Sequence, residues 1–264
     1  MRATSRLADV SINTVSKLLV DAGNLCRAFH DEMVQNVNAK RVQADEIWSF
    51  IAAKAKNVTE ELREKNPAAG DVWTWTAIDA DTKLVIAYLV GARDGFCAEL
   101  LMRDLESRIV ADETQLTTDQ LNVYLKAVDL AFKGSVDYAM LHKVYQGVSD
   151  GKYSPALVVG TKQVVVTGDP DPKHISTSYV ERSNLTMRMH MRRFTRLTNA
   201  FSKKFENHAH MVSIYTVWYN WIRPHKTLRV TPAMEAKLTD RLWSFEEIVN
   251  LMDEVSAKPA PQSN

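Results

Sequence analysis

The stretch DVWTWTAIDADTKLVIAYLVG, residues 71–91, decides the fold class. Aromatic and β-branched residues fill both of its halves, and the more polar residues 80–83 separate them. This pattern is typical of two strands joined by a tight turn. The segment RVQADEIWSFIA at 41–52 has the alternation of a strand. We therefore expect a hairpin preceded by one strand.

Helical and strand-like segments alternate after this hairpin. The sequence predicts helices at 97–110 and 121–132, short strands at 114–119 and 136–145, and an extended stretch at 162–170. Three strands followed by helix, strand, helix and strand is the element order of the RNase H-like fold. We therefore predict an α/β protein with an RNase H-like mixed sheet.

The second half of the chain is predicted to be mainly helical. One long helix is expected from Ser176 past Arg193, a second at 205–222 and a last one at 243–255. These C-terminal helices complete a predicted catalytic domain. Residues 256–264, SAKPAPQSN, have the composition of a disordered tail.

Residues 4–20 predict two short helices around a turn, with a third helix at 22–37. Ser11 or Asn13 can cap the second helix. Apolar residues are spaced to form one face of the pair; they are Leu7, Ala8, Val10, Ile12, Val15, Leu18 and Leu19.

This N-terminal pattern supports two interpretations equally. In a helix-turn-helix, the second helix enters the major groove. Its base-facing side would then carry Asn13, Thr14, Ser16 and Lys17. The other interpretation is a helical hairpin with a polar face. We predict a small DNA-binding segment at 1–38, ahead of a catalytic domain at 41–255.

The composition is that of a soluble globular protein, with 45% hydrophobic and 25% charged residues. The two cysteines, Cys26 and Cys97, form no CxxC spacing, so we expect neither a disulfide framework nor a cysteine zinc site. That usage fits a reducing cytoplasm. No apolar run approaches the roughly 18–20 residues needed to span a bilayer, so we expect no membrane association. The net charge of +1 excludes no partner, because DNA binding depends on where the bases lie.

Three acidic residues stand out as candidates for phosphodiester chemistry. Asp45 interrupts the first predicted strand, Asp119 ends the fourth, and Glu181 lies in the first turns of the predicted long helix. Such chemistry uses two divalent cations roughly 4 Å apart, held by carboxylates. The predicted fold would bring these element positions together. Glu46, next to Asp45, is expected to point to the opposite face of the strand.

Each of these acids also has a structural interpretation. Asp119 stands where a helix begins and is a candidate N-cap. Glu181 lies near a helix N-terminus, where a carboxylate caps backbone amides or interacts with the helix dipole. Taken singly, each acid is better explained by structure, so the metal-site hypothesis depends on the set.

Positive charge is concentrated behind Glu181. No acid occurs between residues 182 and 204, whereas the bases there are Arg182, Arg188, Arg192, Arg193, Arg196, Lys203 and Lys204. In one helix, Arg188, Arg192 and Arg196 would form a single row suited to DNA phosphates. A solvated surface usually mixes charge signs, so we favour DNA binding over that alternative. Ser183 and Asn184 are candidates to orient a water or a phosphate oxygen.

Five segments carry a family resemblance. They are ADEIWSFI, WTWTAIDADTKLVIAYLVG, TTDQLNVY, SYVERSNLTMRMHMRRFTRLTNAFSKKFENH and YNWIRPHKTLRVTPAM, and the last two are the most specific. Through them, residues 41–250 resemble bacterial DDE transposases of the insertion-sequence-one family. The resemblance implies that Asp45, Asp119 and Glu181 are catalytic and bind metal, with two Mg²⁺ (or Mn²⁺) ions per active site.

The resemblance also implies partners and a reaction. The enzyme would bind double-stranded DNA at terminal inverted repeats, free a 3′-OH and join it to target DNA. Since two ends must be held together, we expect a homodimer or a larger synaptic assembly. Members often carry a cysteine zinc knuckle ahead of a helix-turn-helix; this sequence has no such cysteines, so we expect a shortened DNA-binding segment.

Three other functions remain open from the sequence. A catalytically silent, domesticated transposase would act as a DNA-binding regulator and bind without cutting. An RNase H-like nuclease or resolvase would cut without joining. A plain structural domain would leave the basic run unexplained.

Overall fold

The computed structural model describes residues 1–110, 113–145, 158–195 and 199–257, with 252–257 as backbone only. The chain groups into two compact units. The sheet unit comprises Asn36–Ser49 and Val72–Thr198, and the helical unit comprises Met1–Gln35, Phe50–Asp71 and Asn199–Asn264. The first helices thus group with the last ones. The division into compact units therefore differs from the predicted domain boundary near residue 40. A DNA-binding role for residues 1–38 stays a prediction.

Six strands and nine helices make up the described part of the chain. The strands are β1 (Arg41–Ile51), β2 (Gly70–Asp79), β3 (Val85–Gly91), β4 (Gln115–Asp119), β5 (Asp137–Tyr145) and β6 (Val158–Thr167). The helices are α1 (Arg2–Leu7), α2 (Ile12–Met33), α3 (Glu60–Lys65), α4 (Gly95–Arg108), α5 (Val123–Phe132), α6 (Ser178–His190), α7 (Phe205–Val217), α8 (Pro232–Glu235) and α9 (Phe245–Ala257).

The strands form a mixed sheet in the order β3-β2-β1-β4-β5-β6. β2 and β3 pair antiparallel, which confirms the predicted hairpin. β1 pairs parallel with β4, and β4 pairs parallel with β5. β6 closes the edge as an antiparallel partner of β5. The predicted order of three strands, helix, strand, helix and strand is confirmed in a mixed α/β protein, except that the short helix α3 lies between β1 and β2.

Buried apolar residues of the sheet unit fix α4 and α5 near the sheet. The Asp94 side chain caps α4 by accepting a hydrogen bond from the backbone N–H of Cys97 at 2.9 Å. Tyr124 of α5 and Trp75 of β2 are fully buried and make an edge-on ring contact at 5.5 Å. Such aromatic pairs add about 0.5–1.5 kcal/mol beyond the area that they bury.

The N-terminal prediction was wrong in one respect, because α2 is a single helix from Ile12 to Met33 and no third helix begins near residue 22. Ser11 caps it as predicted, accepting a hydrogen bond from the backbone N–H of Thr14 at 3.1 Å. Gly23 does not break the helix. It lies against the Cβ of His210 in α7, and a Cβ at residue 23 would lie only 2.3 Å from that atom.

The predicted apolar face of residues 7–19 is mostly exposed. Leu19 is buried, but Leu7 and Leu18 are 89% and 57% exposed, and Val10 and Ile12 are also exposed. Spacing alone predicted a packed face, and the helical unit buries only the part of it around Leu19.

The prediction that one long helix runs from Ser176 past Arg193 was also wrong, because the helix is shorter. α6 ends at His190, Met191 is extended, and a short 3-10 turn follows at Arg192–Phe194. Met191 and Phe194 are both buried, so packing overrides helix propensity at this point. Arg192 therefore does not continue a helical row with Arg188, and Arg196 lies outside the described residues.

The last two predicted helices agree with the structure, whereas α3 and α8 were not predicted. α7 is followed by a π-helical turn at Trp218–Ile222, so the predicted extent of 205–222 is confirmed. α9 continues to Ala257, two residues into the predicted tail, and residues 258–264 lie outside the described part of the chain. Among the described residues, no helix is both long enough and apolar enough to cross a membrane.

Candidate metal centre

The register of the parallel strands places two carboxylates side by side. Ala44 of β1 is paired with Thr118 of β4, so the next residues along, Asp45 and Asp119, are neighbours on the sheet. Side chains alternate between the faces of a strand, and paired neighbours share a face. The local structure of β1 and β4 therefore brings together two acids from distant parts of the sequence.

Asp45 is held in place by a buried amide. Its Oδ2 accepts a hydrogen bond of 2.8 Å from the Nδ2 of Asn184 in α6. The Oδ1 of Asn184 in turn accepts a hydrogen bond of 3.3 Å from the hydroxyl of Thr76 in β2. This chain fixes the orientation of the Asn184 amide, which leaves its N–H group directed at the carboxylate.

Burial and like charge both act on Asp45. Burial, followed by the charges of Glu46 and Asp119, raises the pKa of Asp45 to about 7. The hydrogen bond from Asn184 opposes this rise only in part. A carboxylate with this raised pKa is one whose ionised form gains from a nearby cation.

A third carboxylate, Glu46, joins this pair. Asp45, Glu46 and Asp119 each offer an oxygen atom, and these atoms all lie within 4.8 Å of one another. Carboxylate oxygens at this spacing could hold a divalent cation, and an all-oxygen set is the type that Mg²⁺ and Mn²⁺ prefer. Glu46 was expected on the opposite face of the strand from Asp45, yet one of its oxygen atoms lies in this cluster.

Glu46 is hydrogen-bonded to Arg93 and Tyr124. Its Oε1 accepts hydrogen bonds from Nε and Nη2 of Arg93 at 2.8 and 2.6 Å, and its Oε2 accepts one from the Tyr124 hydroxyl at 3.1 Å. Its side chain is only 1% exposed. Burial, followed by the charge of Asp119, still raises the pKa of Glu46 despite Arg93.

Glu181 reaches the same place from α6. Gln43 of β1 anchors the start of that helix, since its Oε1 accepts hydrogen bonds from the backbone N–H groups of Tyr179 and Val180 at 2.9 and 3.1 Å. The Glu181 Oε1 accepts a hydrogen bond from the hydroxyl of Thr177 and forms an ion pair with Lys143.

The three predicted acids line one cavity of about 220 Å³. Asp45, Asp119 and Glu181 share its walls with Gln120, Leu141, Lys143 and Tyr145. Glu46 does not line it. The structure thus brings together the acids predicted from distant segments, although Glu181 is outside the closest cluster of oxygen atoms.

The structural interpretations of these acids also find support. Asp119 Oδ1 accepts a hydrogen bond from the backbone N–H of Leu121 at 3.0 Å, although Asn122 is the N-cap of α5. Glu181 lies in the first turn of α6, where a carboxylate interacts favourably with the helix dipole. Neither contact uses both oxygen atoms, so both acids keep an oxygen for a further ligand.

The residues predicted to bind DNA lie in both units. In the sheet unit, Arg182 and Arg192 are exposed, and Arg188 and Arg193 are half-buried. Burial lowers the pKa of Arg193. Lys203 and Lys204 are exposed in the helical unit.

The four predicted base-facing residues lie at the start of α2 in the helical unit. Asn13 and Lys17 are exposed. Two hydroxyls are engaged locally: Thr14 Oγ1 with Ser11 Oγ at 2.9 Å, and Ser16 Oγ with the backbone oxygen of Ile12 at 2.9 Å. Only Asn13 and Lys17 among the four therefore present side chains without such local bonds.

Asn184 does not suit the DNA contact that we predicted. It is 3% exposed, and its amide is bonded to Asp45 and Thr76. Ser183 is buried too, at 6% exposure. Asn184 is placed to orient a carboxylate instead.

Sequence reasoning missed Gln43, Glu46 and Lys143. Glu46 was set aside because of strand alternation, although two acids in succession within a strand were a visible signal. Gln43 carries no sequence signal, because its partners are backbone amides more than a hundred residues away. Lys143 gave none either, since a lysine near a strand end is common on protein surfaces.

No family model and no curated protein matches the chain. Among solved structures, the chain is similar to the cryo-EM structure of the piggyBac transposase synaptic complex with hairpin DNA, at 8% identity and a TM-score of 0.36. The match covers 89% of this chain and 62% of the other, so the chain spans less than two thirds of that transposase. A likeness at this TM-score is distant, and no function is inferred from it.

Proposed function

We propose that this protein is a DDE transposase of the insertion-sequence-one type, which cleaves DNA at element ends and joins the freed 3′-OH to target DNA. The observation that carries the proposal is the shared cavity of Asp45, Asp119 and Glu181. These acids come from the first strand, the fourth strand and a late helix. They are the positions that the family resemblance assigns to catalysis.

The donor set fits hard divalent cations, Mg²⁺ or Mn²⁺, two per site. Asp45 and Asp119 would bind them directly and Glu181 would complete the coordination. Such cations, when bound, activate the attacking oxygen and stabilise the leaving oxygen of the phosphodiester. The raised pKa of Asp45 supports cation binding, because a cation would relieve the repulsion among these carboxylates.

The residues around the acids contribute positioning. Asn184 orients the Asp45 carboxylate through its N–H group, and Thr76 fixes the Asn184 amide. Gln43 anchors the start of α6 and thereby sets where Glu181 can reach. Precise placement of this kind matters in phosphoryl transfer, where catalysis is mostly positioning and electrostatic stabilisation.

The fold supports the same proposal. The strand order and the antiparallel hairpin agree with an RNase H-like catalytic domain. Arg182, Arg188, Arg192 and Arg193 follow Glu181 in the sheet unit and would contact DNA phosphates. The helix-turn-helix role of residues 1–38, the synaptic dimer and a cytoplasmic location belong to this proposal as well.

Cleavage by matched variants tests the proposal. Asp119→Asn and Glu181→Gln should each reduce Mg²⁺-dependent cleavage of duplexes taken from the DNA flanking the gene by at least about a hundredfold, ~2.7 kcal/mol in the transition state. Binding of the same duplexes should persist, because the phosphate contacts come from the arginines. Loss of binding in step with cleavage would show that these acids are structural.

Two controls separate the catalytic acids from other carboxylates. Glu106→Gln, at an exposed position of α4, should leave cleavage unchanged. Glu46→Gln should retain cleavage within about tenfold, ~1.4 kcal/mol, because Glu46 does not line the cavity and is held by Arg93 and Tyr124. If Glu46→Gln matches the loss in Glu181→Gln, Glu46 rather than Glu181 is the third acid.

One observation favours the DNA-binding regulator as a second candidate. Glu181 is paired with Lys143, and its oxygen is outside the closest carboxylate cluster. A silent, domesticated transposase would keep that pair and bind specific DNA without metal-dependent cutting. Cleavage by the wild-type protein with Mg²⁺ excludes this candidate.

A further inference from the structure

We propose that Lys143 is a substrate-binding residue that pairs with Glu181 in the free protein and moves to a DNA phosphate when Glu181 turns to the bound cations. This inference rests on the proposed function. It adds to the site a residue that neither the acids nor the arginine run includes.

The sheet register places Lys143 at the carboxylates. Leu141 of β5 is paired with Asp119 of β4. Lys143 is two residues further along β5, so its side chain is on the same face as that of Leu141. Both line the cavity of the three acids. The position of Lys143 is therefore built into the strand pairing.

Lys143 is the basic residue among the described residues that line this cavity. Its ammonium group contacts Glu181 Oε1, the same oxygen that accepts the Thr177 hydroxyl. An ammonium group carries three donors and a compact charge, and it binds phosphate as a point charge. Before DNA arrives, Glu181 is the group that occupies this ammonium.

The pair and the cation site compete for Glu181. Asp45 and Asp119 already lie in the cluster of oxygen atoms within 4.8 Å, and Glu181 does not. A divalent cation bound by the Glu181 carboxylate would repel the ammonium group of Lys143, which contacts Oε1 of the same carboxylate. Recruitment of Glu181 to the cations therefore releases Lys143 into the cavity.

The magnitude of the ion pair suits such an exchange. The side chains of Lys143 and Glu181 are 26% and 38% exposed. Pairs near the surface contribute only about 0–1 kcal/mol, so the Lys143–Glu181 pair is easily exchanged for other partners. The ammonium group of Lys143 beside the acids is then available to bind a phosphate. The negative charge of that phosphate offsets the repulsion between the ammonium group and the cations.

Mn²⁺ binding without DNA tests the first half of this inference. Lys143→Met should bind Mn²⁺ about two- to fivefold more tightly than wild type, as measured by electron paramagnetic resonance, because Glu181 no longer has a competing partner. In the Glu181→Gln background, the same change should give no comparable gain. Unchanged or weaker Mn²⁺ binding in Lys143→Met would overturn the competition, and so would a gain that persists without Glu181.

Cleavage tests the second half. Lys143→Met should cut Mg²⁺-dependent cleavage at least about tenfold despite tighter cation binding, whereas Lys143→Arg should retain most of it. The control is Lys162→Met, at an exposed position of the neighbouring strand β6, which should change neither Mn²⁺ binding nor cleavage. Wild-type cleavage by Lys143→Met would exclude the phosphate contact.

Failure of this inference is distinguishable from failure of the proposed function. If wild type and Lys162→Met cleave DNA with Mg²⁺ while Lys143→Met binds Mn²⁺ as wild type does, only the inference is wrong. If the wild-type protein binds no Mn²⁺ through Asp119 and cleaves no DNA, the proposed function is wrong and the inference falls with it. Thermal unfolding of Lys143→Met near the wild-type temperature ensures that the comparison concerns folded protein.

Discussion

At the residue scale, Asp45 combines a half-buried carboxylate with two acidic neighbours. Burial and then the charges of Glu46 and Asp119 disfavour its ionised form, which hydrogen bonds from the backbone N–H of Glu46 and from Asn184 stabilise. A residue held in this way reduces the stability of the folded protein when it ionises. Carboxylates whose ionisation is disfavoured by burial and by neighbouring acids are common where proteins bind cations or perform catalysis.

This residue predicts a pH dependence of stability in EDTA. The pKa of Asp45 is about 7 in the folded protein and near its ordinary value of 3.8 in the unfolded chain. Between these values the folded state binds more protons than the unfolded state, so stability falls as the pH rises from about 4 to about 7. Each pKa unit corresponds to about 1.4 kcal/mol, which gives an upper limit on the order of 4 kcal/mol.

Asp45→Asn removes this titration. The free energy of unfolding of the variant should therefore increase relative to that of the wild type as the pH rises over the same range. Denaturant unfolding at several pH values measures the difference. Above pH 7, where Asp45 is ionised, saturating Mg²⁺ should reduce this difference by stabilising the wild-type protein. A difference that does not change with pH would show that burial does not raise this pKa.

At the element scale, α2 and α7 approach closely at a glycine in the helical unit. A Cβ at residue 23 would lie 2.3 Å from the Cβ and 2.7 Å from the Cα of His210. Part of the neighbour is backbone, so it cannot turn away as a flexible side chain would. Glycine thus stands in the interior of a long helix, where it otherwise costs about 1 kcal/mol relative to alanine.

Gly23→Ala should therefore destabilise the protein by about 1–3 kcal/mol through overpacking, despite the better helix propensity of alanine. Gly95→Ala is the matched control, because nothing lies within 4 Å of a Cβ added at the start of α4. That change should be neutral or stabilise by up to about 1 kcal/mol. Thermal unfolding compares the two, and equal melting temperatures would refute the close packing of α2 on α7.

Gln43 links β1 to the start of α6 and makes a second prediction at this scale. Gln43→Ala leaves two backbone N–H groups without their acceptor and should cost about 1–3 kcal/mol of stability. Because α6 carries Glu181, cleavage should fall as well. Lys162→Ala, at an exposed position of the edge strand β6, is the control, and an equal effect of both changes would exclude a specific role for Gln43.

Sequence patterns predicted the elements of the sheet better than the ends of the helices. Alternation and turn residues are local signals, so β1, the β2–β3 hairpin, β4 and β5 were all recognised. The end of α6 depends on the burial of Met191 and Phe194, and the continuity of α2 depends on Gly23 against α7. These are tertiary contacts, which no window of sequence contains.

The site was predictable to a similar extent. Asp45, Asp119 and Glu181 were chosen as acids at element positions that the predicted fold brings together, and they share a cavity. Their neighbours were not predictable, since Asn184 was assigned to DNA but is bonded to Asp45. Lys143 and Gln43 act through partners far away in sequence.

At the scale of the whole molecule, the chain consists of two units with different predicted tasks. The sheet unit holds the candidate metal centre and part of the arginine run. The helical unit holds the predicted base-facing residues of α2 and the lysines Lys203 and Lys204. A transposase needs both tasks, because specific end binding and phosphate chemistry must act on the same DNA.

Strand transfer tests the central claim most directly. Purified protein is mixed with labelled duplexes from the DNA flanking its gene and with a supercoiled target plasmid, in Mg²⁺ or in EDTA, alongside Glu181→Gln. We predict joined, branched product that requires both Mg²⁺ and Glu181. Specific binding without joined product in Mg²⁺ or Mn²⁺, or product that persists in Glu181→Gln, would contradict the account.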